Sequence, residues 1–391
     1  MKLRQIPEDF IVEEIPAFTP AASGRYFVYE INKRSIATLD VLDILRKALR
    51  VPGHEVSASG LKDKHAIARQ LVSLPKPLPA TFRNDAFDWS FVGKAGEPLN
   101  ANNVGANRFA ITARALQLDE VQAMHAGAEA LRKYGVPNFY DSQRFGGGHR
   151  DELPGRAILK QDYEEALRLH LAVPRRKQSL RDKRVRRICA KYWRDWAKIS
   201  DKLPRCRELS VIGYLREHPD DLRGALERVD TKLTKLYLAA YQSLLFNDSL
   251  NALLTALVPA EQLIAVKYKA GEMQLWRALD DELFAQLSTM NVPLLNHSTL
   301  LDTFDPVVRE AVNTALANDG MKLEQLVVKG FDRLRLHGAE RAAMLRPEGL
   351  TLDEAMPDEL NPDRMKLTAR FTLPRGSFAT VVMKRLGTKG D

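Results

Sequence analysis

Cysteine is almost missing from the chain: Cys189 and Cys206 are the only two in 391 residues, with no CxxC pair and no histidine cluster beside them. A disulfide framework and a zinc site are therefore not expected, and the usage fits a reducing compartment. Long apolar runs are missing too, none approaching about 18 residues, and the opening MKLRQIPEDFIVEEIPAF has no apolar signal core. Secretion and membrane insertion are not expected, which leaves the cytoplasm. No GxGxxG or GK[ST] loop occurs, since Gly146, Gly147 and Gly148 stand without either continuation. Neither a nucleotide cofactor nor a metal is expected, and no internal repeat or low-complexity tract stands out.

What is present is positive charge. The formal net charge is +9, which attracts polyanions, nucleic acid being the commonest. Hydrophobic residues at 45% and charged residues at 28% describe a folded chain. Its length exceeds one ordinary core and suggests two domains.

From Arg4 to about Gly146 the pattern is mixed α and β. FIVEEI and RYFVYEI read as strands, and TLDVLDILRKALRV as a helix capped by Thr38 with Leu39, Leu42, Leu45 and Leu49 on one face. HEVSASG and ARQLVSL read as short strands flanking a charged loop, and NRFAITAR as another strand. LDEVQAMHAGAEALRKYG reads as a helix stopped by Gly135. Helical periodicity dominates from about Asp151 to Ala339, and strand alternation is expected again in MKLTARFTLP and SFATVVMKRL. The simplest organisation is a helix-rich insertion within an α+β domain.

Four stretches carry chemistry-bearing residues. In SGLKDKHAIARQ, Asp63 lies between Lys62 and Lys64 with His65 following. Flanking positive charge favours an ionised carboxylate beside phosphate-binding groups, and a solvated charged turn is the plain alternative. In NFYDSQRFGGG, Asn138 and Gln143 supply amides, Phe139, Tyr140 and Phe145 rings, and Arg144 a guanidinium. Such a set suits a pocket for an extruded base, or else a loop whose rings enter the core. PRRKQSLRDKRVRRICAKYWRDWAK, with Arg175, Arg176, Lys177, Arg184, Arg186 and Arg187, reads as a platform for RNA backbone or as a solvated basic helix. LPRGSFATVVMKRL reads as a hairpin whose Arg375 and Ser377 could meet a phosphate.

Taken together, GLKDKHA, NFYDSQRFGGG, YQSLLFN and LPRGSFAT, with PEDFIVEEI and GANRFAI, resemble in this order the signature blocks of the TruD family of tRNA pseudouridine synthases. The blocks run from Arg4 to Leu386, nearly the whole chain. The resemblance implies an α+β pseudouridine synthase catalytic domain with a mixed or antiparallel sheet, at 1–154 and 340–391. A helix-rich insertion domain at 155–339 would interrupt it. It further implies isomerisation of uridine in tRNA, at position 13, without cofactor, with Asp63 catalytic; a monomer is the default expectation, since nothing in the sequence signals a symmetric interface. The residues that would meet the substrate are Arg4, Lys62, Lys64, His65, Asn138, Tyr140, Gln143, Arg144, Phe145, Arg375 and Ser377. Tyr140 and Asp141 stand where the family often has phenylalanine and glycine, and Arg4 where it often has lysine. A catalytically silent RNA-binding module is the alternative.

Overall fold

The computed structural model describes residues 1–175, 178–331 and 333–388. It divides into two compact units: a split unit of Met1–Val136 with Leu345–Asp391, and an inner unit of Pro137–Met344. The architecture is α+β with a mixed sheet.

The split unit is built on an 11-stranded sheet. Its eight main strands are β1 (Phe10–Pro16), β2 (Tyr26–Arg34), β3 (Ile67–Leu74), β4 (Thr81–Arg83), β5 (Phe87–Ala95), β6 (Val104–Leu116), β7 (Glu348–Leu352) and β8 (Met365–Pro374). They lie in the order β7-β8-β6-β1-β3-β2-β5-β4. Among the described strands of this sheet only β1 and β3 run parallel, Ile11 facing Ile67. Parallel pairing needs a crossover, and the chain makes it through β2 and the helix α1 (Thr38–Leu49). The segments preceding β1 and β3 therefore arrive at the same end of the sheet, and these segments carry Arg4 and Asp63.

Helix α1 buries Val41 and Leu45 against Tyr29, Ile31, Val72, Leu74 and Trp89, with Leu42 and Leu49 at the margin. Leu39, expected on this face, is 61% exposed, and Val41 takes its place. Thr38 is the first helical residue, after an Ala37 cap. Its hydroxyl turns inward to Gln70 Oε1 at 2.9 Å, since a buried hydroxyl needs a partner. Helix α2 (Leu118–Tyr134) ends at Gly135, whose φ of 65° is the left-handed stop that glycine supplies.

SFATVVMKRL departs from its expected strand: Ala379–Leu386 is a helix. Its β-branched Val381 and Val382 weaken helix propensity, but with Met383 and Leu386 they are buried as the helix packs on α2. There a Cβ on Gly127 would stand 3.2 Å from the Leu386 carbonyl, so the missing side chain permits the approach. Packing of one apolar face outweighs the local preference.

The inner unit is helix-rich. Its longest described helix is buried on every side over its middle turns, including Tyr241, Gln242, Ser243, Phe246 and Asn247, as befits a central element. This helix, Thr231–Leu257, is packed by Pro154–Leu159 and Pro306–Asn318. The unit begins at Pro137, earlier than residue 155, because Asn138–Phe145 takes its polar and aromatic partners from Thr231–Leu257. No described helix is long and apolar enough to cross a membrane.

Candidate active site

Before β1, the PEDF turn is fixed by Asp9. Its carboxylate accepts from the backbone N–H groups of Gln5 and Ile6 at 2.9 and 3.1 Å and from Arg114 Nε at 2.6 Å. Arg114 also donates to Asp358 at 2.8 Å, so both halves of the split unit hold this turn. Arg4, just ahead, has a left-handed φ of 64°. A non-glycine residue bears strain there, and such strain gathers at functional sites. The turn lays the Arg4 guanidinium 4.0 Å from the Phe10 ring centroid and in an ion pair with Asp63.

The Asp63 loop is fastened at successive backbone groups. Gln70 Nε2 donates to the Gly60 carbonyl at 3.1 Å, Thr38 Oγ1 accepts from the Lys62 N–H at 3.1 Å, and Lys33 Nζ donates to the Asp63 carbonyl at 2.6 Å. Lys62 turns inward: its ammonium stands 2.9 Å from Glu14, whose side chain is fully buried, and 2.6 Å from Asn107 Oδ1. Glu14 also accepts from Ser59. Lys64 and His65 are exposed. The alternation of lysine, aspartate and lysine thus resolves into one lysine anchored in the sheet, one facing solvent, and between them a carboxylate 16% exposed. Burial is the main reason that the Lys33 ammonium is pushed down to about 8, with Asp63 opposing that shift and Lys62 adding to it.

At the LPRGSF turn, Arg375 donates to the Ala101 carbonyl and Asn102 Oδ1, both at 2.8 Å, and the Ser377 N–H closes the turn onto Pro374. These hydrogen bonds bind two loops of the split unit.

In the inner unit, Phe139 and Phe145 are buried and Tyr140 nearly so. Tyr140 packs edge-on to Phe246, its N–H donates to Asn247 Oδ1 at 2.9 Å, and its carbonyl accepts from Asn247 Nδ2 at 2.8 Å. The Arg341 guanidinium lies 4.2 Å from the Tyr140 ring centroid and that of Arg144 5.3 Å. Burial lowers the pKa of both. Arg144 Nε donates to Ser243 Oγ at 2.8 Å. The Asn138 amide accepts from Arg341 and donates to the Ala342 carbonyl, while Gln143 is exposed. Asp141 is not among the positive-φ residues, so the freedom of a glycine is not used there; Gly146 and Gly147, at 59° and 74°, do use it.

The model of the family described as tRNA pseudouridine synthase D (TruD) matches residues 1–386. The chain belongs to the tRNA pseudouridine synthase D family. It is 32% identical to the Methanococcus maripaludis protein named probable tRNA pseudouridine synthase D 1, over 99% of each chain. It is 30% identical to the tRNA pseudouridine synthase D of Geotalea daltonii, covering 98% of this chain and 95% of the other. A solved Methanosarcina mazei structure described as a tRNA pseudouridine synthase D shares the fold, with a TM-score of 0.71 at 24% identity. That match covers 98% of this chain and 93% of the other.

The basic run of this chain is only partly open to solvent. Arg184 and Arg187 on the helix α3 (Leu180–Lys191) are exposed, whereas Arg186 is half-buried and Arg175 is paired with Glu152. Arg176 and Lys177 lie outside the described residues. At the end of α3 and just after it, the ammonium groups of Lys191, Lys198 and Lys202 surround the Tyr192 ring at 5.4, 4.7 and 5.6 Å from its centroid.

Sequence reasoning missed Lys33, Glu14, Arg341 and Asn247 as parts of these clusters. Lys33 and Glu14 had a signal: each occupies an inward phase of its strand, after Tyr29 and Ile31 and after Phe10 and Val12. A charge in that phase needs a buried partner. Asn247 lies within YQSLLFN, but nothing in AERAA marked Arg341.

Proposed function

We propose that the chain converts uridine to pseudouridine at position 13 of tRNA, with Asp63 as the acting carboxylate. The placement of Asp63 carries this reading: one partly exposed carboxylate, paired with Arg4, on a loop whose neighbouring backbone groups are hydrogen-bonded to buried side chains. Family membership supports an isomerase acting on tRNA uridines. Preorganisation of this kind is what a site needs when positioning and charge must drive the reaction.

The reaction breaks the bond between uracil N1 and ribose C1′, turns the base, and joins C5 to C1′. C5 loses a proton and N1 gains one, so the change is an isomerisation. The uridine must leave its stack before C1′ is reachable. We assign the extruded base to the Tyr140 ring, with Arg144, Gln143 and Phe145 shaping its surroundings, and Asn138 to the support of Arg341. Lys64, His65, Arg375 and Ser377 lie nearest in sequence to the split unit's exposed turns and are assigned to sugar and phosphate. Arg184, Arg187 and the lysines around Tyr192 are assigned to the RNA backbone. The split unit is read as the catalytic domain and the inner unit as the family's insertion, working as a monomer in the cytoplasm.

The test is pseudouridine mapping by carbodiimide adducts and primer extension on unmodified tRNA, with wild type or Asp63→Asn protein and no added cofactor. A stop at one D-arm uridine with wild type alone is the expected result. Tight binding without a stop on any tRNA would return the chain to a silent RNA-binding module.

A further inference from the structure

We propose that Lys33 is a positioning residue for Asp63, its buried ammonium fixing the backbone on which the carboxylate stands. The inference rests on the reading of Asp63 as the acting group. Lys33 is 1% exposed, the last inward residue of β2, and lies between Ala68 of β3 and Phe87 of β5 in the pairing register. Neither neighbour offers a polar atom from its side chain. The lysine reaches along the end of the sheet, and Nζ donates to two carbonyl oxygens, Ile36 at 2.8 Å and Asp63 at 2.6 Å. One bond closes the β2–α1 connection and the other grips the residue that carries the carboxylate.

The charged groups that act on Lys33 are Asp63, which favours its proton, and Lys62, which opposes it. Lys62 is itself neutralised by Glu14 at 2.9 Å, and Asp63 is shared with Arg4. Asp63 thus stands between two cations of different character. Arg4 meets its carboxylate from the turn before β1, and Lys33 holds its main chain from below. A lysine at a strand's inward phase has to be desolvated, and two carbonyl acceptors near one carboxylate compensate for that. A purely structural filler at this position would need no charge, because its cross-strand neighbours Ala68 and Phe87 are apolar.

A second consequence separates positioning from packing. With the ammonium pushed down to about 8 by burial, its charge is lost within the ordinary assay range. The neutral amine can still donate to both carbonyls but no longer presents a positive charge beside Asp63. Arginine at the same place stays charged throughout.

The experiment measures single-turnover pseudouridine formation from pH 6 to 9.5 on an unmodified tRNA transcript, alongside tRNA binding. The proteins are wild type, Lys33→Met, Lys33→Arg and Asp63→Asn. The expected result is a loss of about 100-fold in the rate of Lys33→Met with tRNA binding within about threefold of wild type, the scale of a small misplacement of a reacting group. The wild-type rate should fall above about pH 8, and that fall should be missing in Lys33→Arg. A Lys33→Met protein that turns over at the wild-type rate overturns the proposal, as does a Lys33→Arg protein that keeps the fall. If Lys33→Met does not fold, the wild-type and Lys33→Arg profiles decide. Product from Asp63→Asn would instead overturn the reading of Asp63 itself.

Discussion

Two segments of this chain, Ser59–Gln70 in the split unit and Asn138–Phe145 in the inner unit, are held in place by opposite means. Around Asp63 the fastening is ionic. Lys62 meets buried Glu14, Arg4 meets Asp63, and the polar groups between them are hydrogen-bonded to strand and helix side chains. Around Tyr140 the fastening is by rings and amides. Two guanidiniums lie against the phenol, and Asn247 takes both the N–H and the carbonyl of the same residue. Charge pairing fixes a group that must stay charged and partly exposed, and it is fragile, since removing one partner strands the other. Rings and amides fix a flat apolar face, and the effect of removing them is graded.

The comparison can be broken first at the chemistry. Asp63→Asn should leave no detectable product in the mapping assay while tRNA binding stays within about twofold. Next is the ionic fastening: Lys62→Met leaves Glu14 buried without its countercharge and should cost about 3–5 kcal/mol in urea unfolding. Adding Glu14→Leu to it should recover most of that loss, and a double variant no better than the single would contradict the buried-pair account.

The inner unit has its own pH-sensitive point in buried His170, which shares a 2.8 Å hydrogen bond with the Tyr237 hydroxyl. Burial, reinforced by Arg186, pushes its imidazole down to about 4. The unfolded chain then binds a proton that the folded one refuses between pH 6.5 and 4. Stability contributed by this site is therefore complete above 6.5 and falls with decreasing pH, by at most about 3 kcal/mol. His170→Gln should flatten the acid limb of a melting-temperature profile. Asn247→Ala removes three hydrogen bonds, two to the Tyr140 backbone and one to the Tyr268 hydroxyl, and should cost about 2–3 kcal/mol, seen as faster amide exchange at Tyr140. Smallest, the triple variant Lys191→Glu, Lys198→Glu, Lys202→Glu should leave stability within about 0.5 kcal/mol. It should also flatten the dependence of tRNA affinity on salt, by about 0.7–0.9 in log–log slope for each phosphate that is no longer neutralised.

Much of the framework was legible because burial alternates cleanly: FIVEEI, MKLTARFTLP and NRFAITAR are strands as their period of two requires. Gly135 ends its helix through the same backbone freedom that makes it a stop signal in the sequence. What failed was decided by tertiary partners. Ala379–Leu386 is helical because α2 offers a surface for its apolar face, and Leu39 is exposed because Val41 fits the sheet better. For the candidate site, the charged motif around Asp63 was visible, but not that Lys62 would turn inward while Lys64 remained outside. That division depends on Glu14, more than forty positions earlier in the chain, and on the parallel register of β1 and β3.

The interior position of β8 bears on how the protein is born. This strand pairs with β6 on one side and β7 on the other, yet it is synthesised only after the whole inner unit. At about 5–20 residues per second, a ribosome spends on the order of ten to forty seconds making Pro137–Met344. All that time β6, with Phe109 and Ile111, lacks its neighbour and offers a bare edge for pairing with another nascent chain. Synthesis halted at Met344 would yield a complete inner unit attached to an open sheet, and the sheet closes only once β8 has been made.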